Sequence, residues 1–147
     1  YRTVPSFRRW ILRADLSEYV GLQTFRVIGA AFLFLMGLGY LPPGFALPAG
    51  WGDVLVGIVA LIAMVKLSRN QMLSSRLFWS LFVLGLLDFL GAFASGNIVS
   101  VSGNWNEEYR RMTELPLLLV PGFLVPMWIV THFYALFKYR AFNLGNA

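Results

Sequence analysis

Four runs of apolar residues, none interrupted by more than one charge, decide what this chain can fold into. They cover about residues 27–41, 51–65, 77–95 and 115–137. The hydrocarbon core of a bilayer is about 30 Å thick, and a helix rising about 1.5 Å per residue needs about 20 largely apolar residues to cross it. The first two runs are short, so flanking residues must extend them or the bilayer must thin. Runs this long satisfy their backbone internally as helices, whereas barrel strands would alternate apolar and polar at every second position. The expected fold is all-α: a polytopic four-helix membrane bundle, residues 1–147 forming a single membrane domain.

Composition agrees. The chain is 58% hydrophobic and only 13% charged, with a mean hydropathy of +0.66. A soluble domain averages roughly 45–50% apolar and 25% charged residues, so an ordinary water-soluble globule is excluded. There is no cysteine, hence no disulfide scaffold, zinc knuckle or thiol chemistry.

Orientation follows from the basic side chains. Arg2, Arg8, Arg9, Arg13 and Arg26 precede the first run; Lys66, Arg69 and Arg76 lie between the second and third; Lys138 and Arg140 follow the fourth. Only Arg110 and Arg111 fall on the opposite side. The positive-inside rule therefore places both termini in the cytoplasm. This asymmetry accounts for the net charge of +5, and no nucleic-acid partner is expected. Tyr40, Trp51 and Trp105 at the outer boundary, with Trp79 and Tyr139 at the inner one, fit aromatic belts. The first run, followed by Ala46-Leu-Pro-Ala49, has the outline of a cleavable signal peptide, but three further runs and the basic count favour an uncleaved first helix. Tyr1 is not a methionine, so residues preceding it are expected.

Residues 8–25 are expected to form an amphipathic helix in the inner interface, within an interfacial segment covering residues 1–25. Leu12, Leu16, Tyr19, Val20 and Gln23 share one stripe, with Arg9, Arg13 and Ser17 on the other face. Such a helix can anchor to lipid headgroups or dock a partner. The loop 42–52 is uncharged, rich in Pro and Gly, and too broken for a helix; an irregular cap buried over the bundle is expected. The loop 96–113 is polar, presenting Asn97, Asn104, Asn106, Glu107 and Glu108.

Ionisable residues inside a span cost several kcal/mol unless paired or hydrated, so each is a candidate site (on the order of 2.5–3.5 kcal/mol on insertion scales). Asp53 follows Gly50-Trp-Gly52 and reads as a helix N-cap at the outer boundary, or as part of a site. Asp88, in Leu84-Gly-Leu-Leu-Asp88, lies about 16 Å into the third helix, near the midplane, where no helix end can satisfy it. It must be protonated, paired, or facing a wet cavity. Glu114 precedes Leu115-Pro116, where the fourth helix is expected to start and an acid complements the dipole. His132 is the only histidine; it reads as a packing residue, or as a haem ligand if a second ligand comes from elsewhere. No resident cofactor is otherwise expected. Arg26 opens the first helix and is expected to snorkel to the inner surface. Pro121 and Pro126 free carbonyls near Leu117 and Gly122 and kink the fourth helix. Gly29, Gly37, Gly57, Gly85 and the Gly91-x-x-x-Ser95 pair offer close-contact surfaces.

With Arg26-Val-Ile-Gly-Ala-Ala-Phe-Leu, Phe45-Ala-Leu-Pro-Ala-Gly-Trp-Gly-Asp53, Leu84-Gly-Leu-Leu-Asp88 and Leu115-Pro-Leu-Leu-Leu-Val-Pro121 through His132 in view, residues 26–138 resemble a set of small bacterial four-span inner-membrane proteins of uncharacterised activity. The resemblance implies a bacterial inner membrane and a four-helix fold, and brings no activity or cofactor. The first two spans are also loosely similar to DoxX-type proteins. Gly50-Trp-Gly-Asp53 matches the Gly-x-Gly-Asp string of intramembrane aspartyl proteases, with Asp88 as the second aspartate; that chemistry needs carboxylates close enough to share a proton.

No Ser/His/Asp arrangement, phosphate loop or carboxylate–histidine metal spacing occurs, so an enzyme is not the first expectation. The leading one is a non-enzymatic protein acting by assembly in the lipid bilayer, as a homo-oligomer or as an accessory subunit of a membrane complex. The alternative is a proton-coupled carrier or channel for a small solute, with Asp88 carrying the proton and Asp53 and Glu114 lining a vestibule. The intramembrane protease using Asp53 and Asp88 stands third.

Overall fold

The computed structural model describes residues 13, 15–69, 71, 73–101 and 107–145. Among them there is helix and turn and no strand. Four helical stretches are long and apolar enough to cross a membrane: Leu16–Gly37, Pro43–Ser68, Ser75–Ile98 and Val120–Ala141. Large apolar side chains such as Phe25, Ile28, Leu55, Leu87 and Leu90 point away from the protein interior on these helices, as lipid-facing surfaces require.

The first stretch is built from α1 (Leu16–Thr24), a 3-10 segment (Phe25–Gly29) and α2 (Ala30–Gly37). The junction residues Phe25, Gly29 and Ala30 all keep right-handed helical backbone, so the rod is unbroken. It begins well before the apolar run that starts at Val27. Of the expected surface helix, residues 1–12 and 14 lie outside the described residues. The remainder does not end at Phe25 but runs on into the first spanning stretch, with Tyr19, Val20 and Gln23 buried.

The second helix, α3 (Pro43–Ser68), starts in the segment expected to be an irregular cap. Pro43 occupies its first turn, where no backbone N–H is needed. Pro48 lies further in, yet packing overrides the local breakers: Ala46 and Ala49 bury against Phe32 and Leu41. The third helix is α4 (Ser75–Val101), followed by the short α5 (Glu107–Met112). Asn104, Trp105 and Asn106 of the polar loop lie outside the described residues.

The fourth helix does not start at Leu115. Residues 113–118 are turns, a π-helical segment covers Val120–Leu124, and α6 follows from Val125 to Gly145. The prolines explain the delay. Each lacks a donor and crowds the preceding turn; the widened π turn, in which Val125 N–H reaches Val120 O, absorbs the bend ahead of Pro126. Leu117 O, expected to be freed by Pro121, accepts from Val120 N at 3.0 Å.

α3 lies at the centre and packs along α1, the 3-10 segment, α2 and α4, while α6 packs on α1 and α4. At the end near residues 69–74, Phe78 and Phe82 of α4 close on Ala135, Leu136 and Tyr139 of α6, with Phe78 and Tyr139 stacked at 3.8 Å. Toward the other end α4 and the π segment separate, leaving a cavity.

Candidate functional site

Three charged side chains from three helices meet half-way along the bundle. Arg26 is fully enclosed, at 0% exposure. Its Nε donates to Asp53 Oδ1 at 2.7 Å, and its Nη2 donates to Asp88 Oδ2. The guanidinium lies over the Phe89 ring, with Cζ 4.1 Å from the centroid, and Trp128 stands 5.9 Å away. A charge that cannot reach water is tolerated when paired and hydrogen-bonded; here two carboxylates and an aromatic face do so. Arg26 Nη1 and Asp88 Oδ1 have no hydrogen-bond partner among the described residues.

This placement corrects two expectations. Arg26 does not snorkel: because the helix begins at Leu16, the residue falls in the middle of the first spanning stretch rather than at its mouth. Asp53 is not an N-cap: α3 starts at Pro43, about 15 Å earlier. Asp88 sits where expected, inside α4, and it is paired.

Small residues let the helices approach closely enough for the contact. Gly29 faces Asp53, Gly57 faces the backbone of Val27, and Gly52 faces Asp88; a Cβ on any of them would strike its neighbour. The 3-10 turn that carries Arg26 is wound between Phe25 and Gly29 at this crossing.

A second polar network lies one turn earlier on α1. Gln23 Nε2 donates to Thr131 Oγ1 at 3.0 Å and to Trp128 O at 3.2 Å, while Trp128 Nε1 donates to Leu22 O at 3.3 Å. It ties α1 to α6. His132 belongs to the same wall. Its Nε2 makes a 2.8 Å hydrogen bond to Phe82 O, and its ring stacks on Phe82 at 4.7 Å. A Cβ on Gly85 would come within 2.5 Å of His132 Cε1. A haem would have to displace that carbonyl and that ring, so the surroundings of His132 do not fit the group. Among the described residues no three His, Asp or Glu side chains are placed to hold a metal ion.

Asp53 and Asp88 form the floor of a cavity of about 390 Å³. Its walls are apolar: Phe32, Phe45, Phe89, Phe93, Leu117 and Val125 contribute. Asn97, Tyr109, Met112 and Thr113 line the far end, about 13 Å along α4 from Asp88. The cover there is α5, not the segment 42–52. Arg111 pins α5 by donating to Gly39 O at 3.2 Å and by lying over Tyr40.

Glu114 is not part of the cluster. It is exposed and pairs with Arg110 at 2.9 Å, beside a 2.8 Å pair between Arg110 and Glu107. Of the sequence candidates, Asp53 and Asp88 are thus brought together and His132 stands behind them. Arg26, Gln23, Phe89 and Trp128 are the members that sequence reasoning missed. The geometry differs from a protease dyad, whose carboxylates share a proton directly; a guanidinium bridges the two aspartates here.

No curated protein and no solved structure matches the chain. One family model matches residues 1–140, nearly the whole length and all three charged residues of the cluster. The chain therefore belongs to the family described as Domain of unknown function (DUF8737).

Proposed function

We propose that this protein is a proton-coupled carrier for a small, largely apolar solute, which binds in the cavity above Asp53 and Asp88. One observation carries the reading: an apolar cavity of about 390 Å³, within the range of ligand sites, ends on two carboxylates that share a single guanidinium. With all three groups ionised, the cluster holds one negative charge in excess, in a region where uncompensated charge is costly. A proton or a polar group of the solute balances it, and exchange between the two couples their movements. Arg26, Asp53 and Asp88 bear this charge, and His132 on α6 packs against Phe82 and Phe89.

Both termini are cytoplasmic in this reading and the cavity faces outward, in a bacterial inner membrane. The burial of Arg26 removes it from the basic count but leaves the asymmetry. Arg110 is neutralised by Glu107 and Glu114, and Arg111 is engaged with Gly39 and Tyr40, so the outer side carries little free positive charge. Assembly remains the second reading, favoured by Gly91: a Cβ there would meet nothing within 4 Å among the described residues, so none of them uses this small face. Contact between copies through it would also help enclose a pathway in so small a bundle.

The test is proton movement in proteoliposomes on addition of candidate solutes, comparing the native chain with Asp88→Asn. Solute-dependent proton flux that Asp88→Asn abolishes is expected. Equal flux in the two proteins would leave Asp88 a packing role and return the weight to assembly.

A further inference from the structure

We infer that the solute bound at the cavity floor is a lipophilic monovalent cation, an ammonium group on an apolar body. The inference rests on the solute-binding reading above and adds the charge of the solute to it.

Charge comes first. Among the described residues Asp53 and Asp88 are the only acidic or basic side chains that line the cavity. Arg26 is enclosed behind them, and its one positive charge faces two carboxylates. In a low-dielectric region that excess acts at full strength, repelling an anion and attracting a cation.

The second observation is position. Both carboxylates line the cavity, and each gives one oxygen to Arg26. Asp88 Oδ1 packs against Gly52, so Asp88 acts on the ammonium head through its charge. Asp53, whose side chain keeps 11% exposure, adds a second carboxylate at the same floor.

The walls select what carries the charge. Phe32, Phe45, Phe89, Phe93 and Tyr109 surround the cavity, and aromatic faces attract cations. Phe89 already receives the guanidinium of Arg26 in this way. A bare inorganic ion would need a cage of oxygen ligands, which these walls lack. An organic cation keeps its charge at the floor and its body against the rings.

The test uses the full chain in phosphatidylcholine nanodiscs and three probes with one naphthalene body: naphthylmethylammonium, naphthylmethanol and naphthoate. Calorimetric titration is expected to give binding of the ammonium about tenfold or more tighter than the alcohol, and none of the carboxylate. Asp88→Asn should bring the ammonium down to the level of the alcohol. Gly96→Leu serves as a second variant: Gly96 lines the cavity and a Cβ there meets nothing within 4 Å among the described residues, so the chain can fold while the cavity narrows. It should abolish binding of the ammonium. If the alcohol or the carboxylate binds as tightly as the ammonium and Gly96→Leu removes that binding, the cation inference fails and the solute-binding reading stands. If no probe binds the folded chain, or Gly96→Leu leaves binding intact, both fail.

Discussion

No side chain fits between Gly52 and Asp88: a Cβ placed on Gly52 would overlap Asp88 Oδ1. The second and third helices are therefore held at a distance set by the absence of an atom, and Asp88 reaches Arg26 only from that position. Gly52→Ala must displace the carboxylate or separate α3 from α4. Overpacking of this kind costs about 1–3 kcal/mol. Equilibrium unfolding in detergent micelles should show a loss of that size. An unchanged midpoint would mean that Asp88 swings aside freely, contrary to a tightly packed cluster.

Arg26 carries the charge balance. Removing it in Arg26→Met leaves two carboxylates facing each other without a partner, and breaking a buried pair in this way costs about 3–5 kcal/mol. The triple variant Arg26→Met/Asp53→Asn/Asp88→Asn has no charge left to strand and should be more stable than the single variant. The same unfolding measurement decides it. A triple variant no better than Arg26→Met would show that steric fit, not charge, dominates at this crossing.

His132 contributes a ring stacked on Phe82 and one hydrogen bond to a helix carbonyl. His132→Phe keeps the ring, and Phe82 O retains its place in the helix ladder, so the loss should stay below about 1.5 kcal/mol. His132→Ala empties the space between Gly85 and Phe82 and should cost more, about 2–4 kcal/mol. Thermal unfolding of the two variants side by side checks the order. The reverse order would mean that the imidazole acts through its nitrogens and not its shape.

How much of this is legible in the sequence depends on where each residue stands relative to an apolar run. Four spanning helices follow from bilayer thickness alone, and Asp88 stands out because no helix end lies near it. Arg26 and Asp53 mislead for one reason. Each stands next to the start of an apolar run, where a charge reads as a boundary, but the helices extend beyond the runs. The stripe of Leu16, Tyr19, Val20 and Gln23 is legible, but its polar members read as a surface helix and not as the first turns of a span. Pro43–Trp51 carries two prolines and two glycines that read as loop. A signal is present even so: Asp53 and Asp88 are the acidic residues inside the second and third apolar runs, and Arg26 stands beside the first, a set of opposite charges that low dielectric drives together. Gln23, Thr131 and Trp128 carry no such signal, because their contact spans more than a hundred positions and depends on how α1 meets α6.

The cover at the cavity mouth is sensitive to acid. Arg110 donates to Glu107 and holds its carboxyl below the usual glutamate range. A group depressed in the folded state lends stability that is present above its unfolded pKa and lost as pH falls through its folded one. Amide hydrogen exchange in α5 should therefore speed up, relative to the spanning helices, on acidification, and added salt should weaken the effect because the pair is exposed. Exchange in Arg110→Ala should show no such acid step. If the step persisted in that variant, the pair would not be its source.

Solute binding at the cluster requires an apolar route that ends on buried carboxylates, and chemical modification reads that route directly. A hydrophobic carbodiimide such as dicyclohexylcarbodiimide should partition into the cavity and modify Asp53 or Asp88, while a water-soluble carbodiimide reaches only Asp15, Glu18, Glu107, Glu108 and Glu114. Mass spectrometry of the modified chain is expected to place the hydrophobic label on Asp53 or Asp88, and Gly96→Leu should suppress it. Labelling confined to the exposed carboxylates, or labelling of Asp53 and Asp88 unchanged by Gly96→Leu, would contradict the cavity as the route to the cluster.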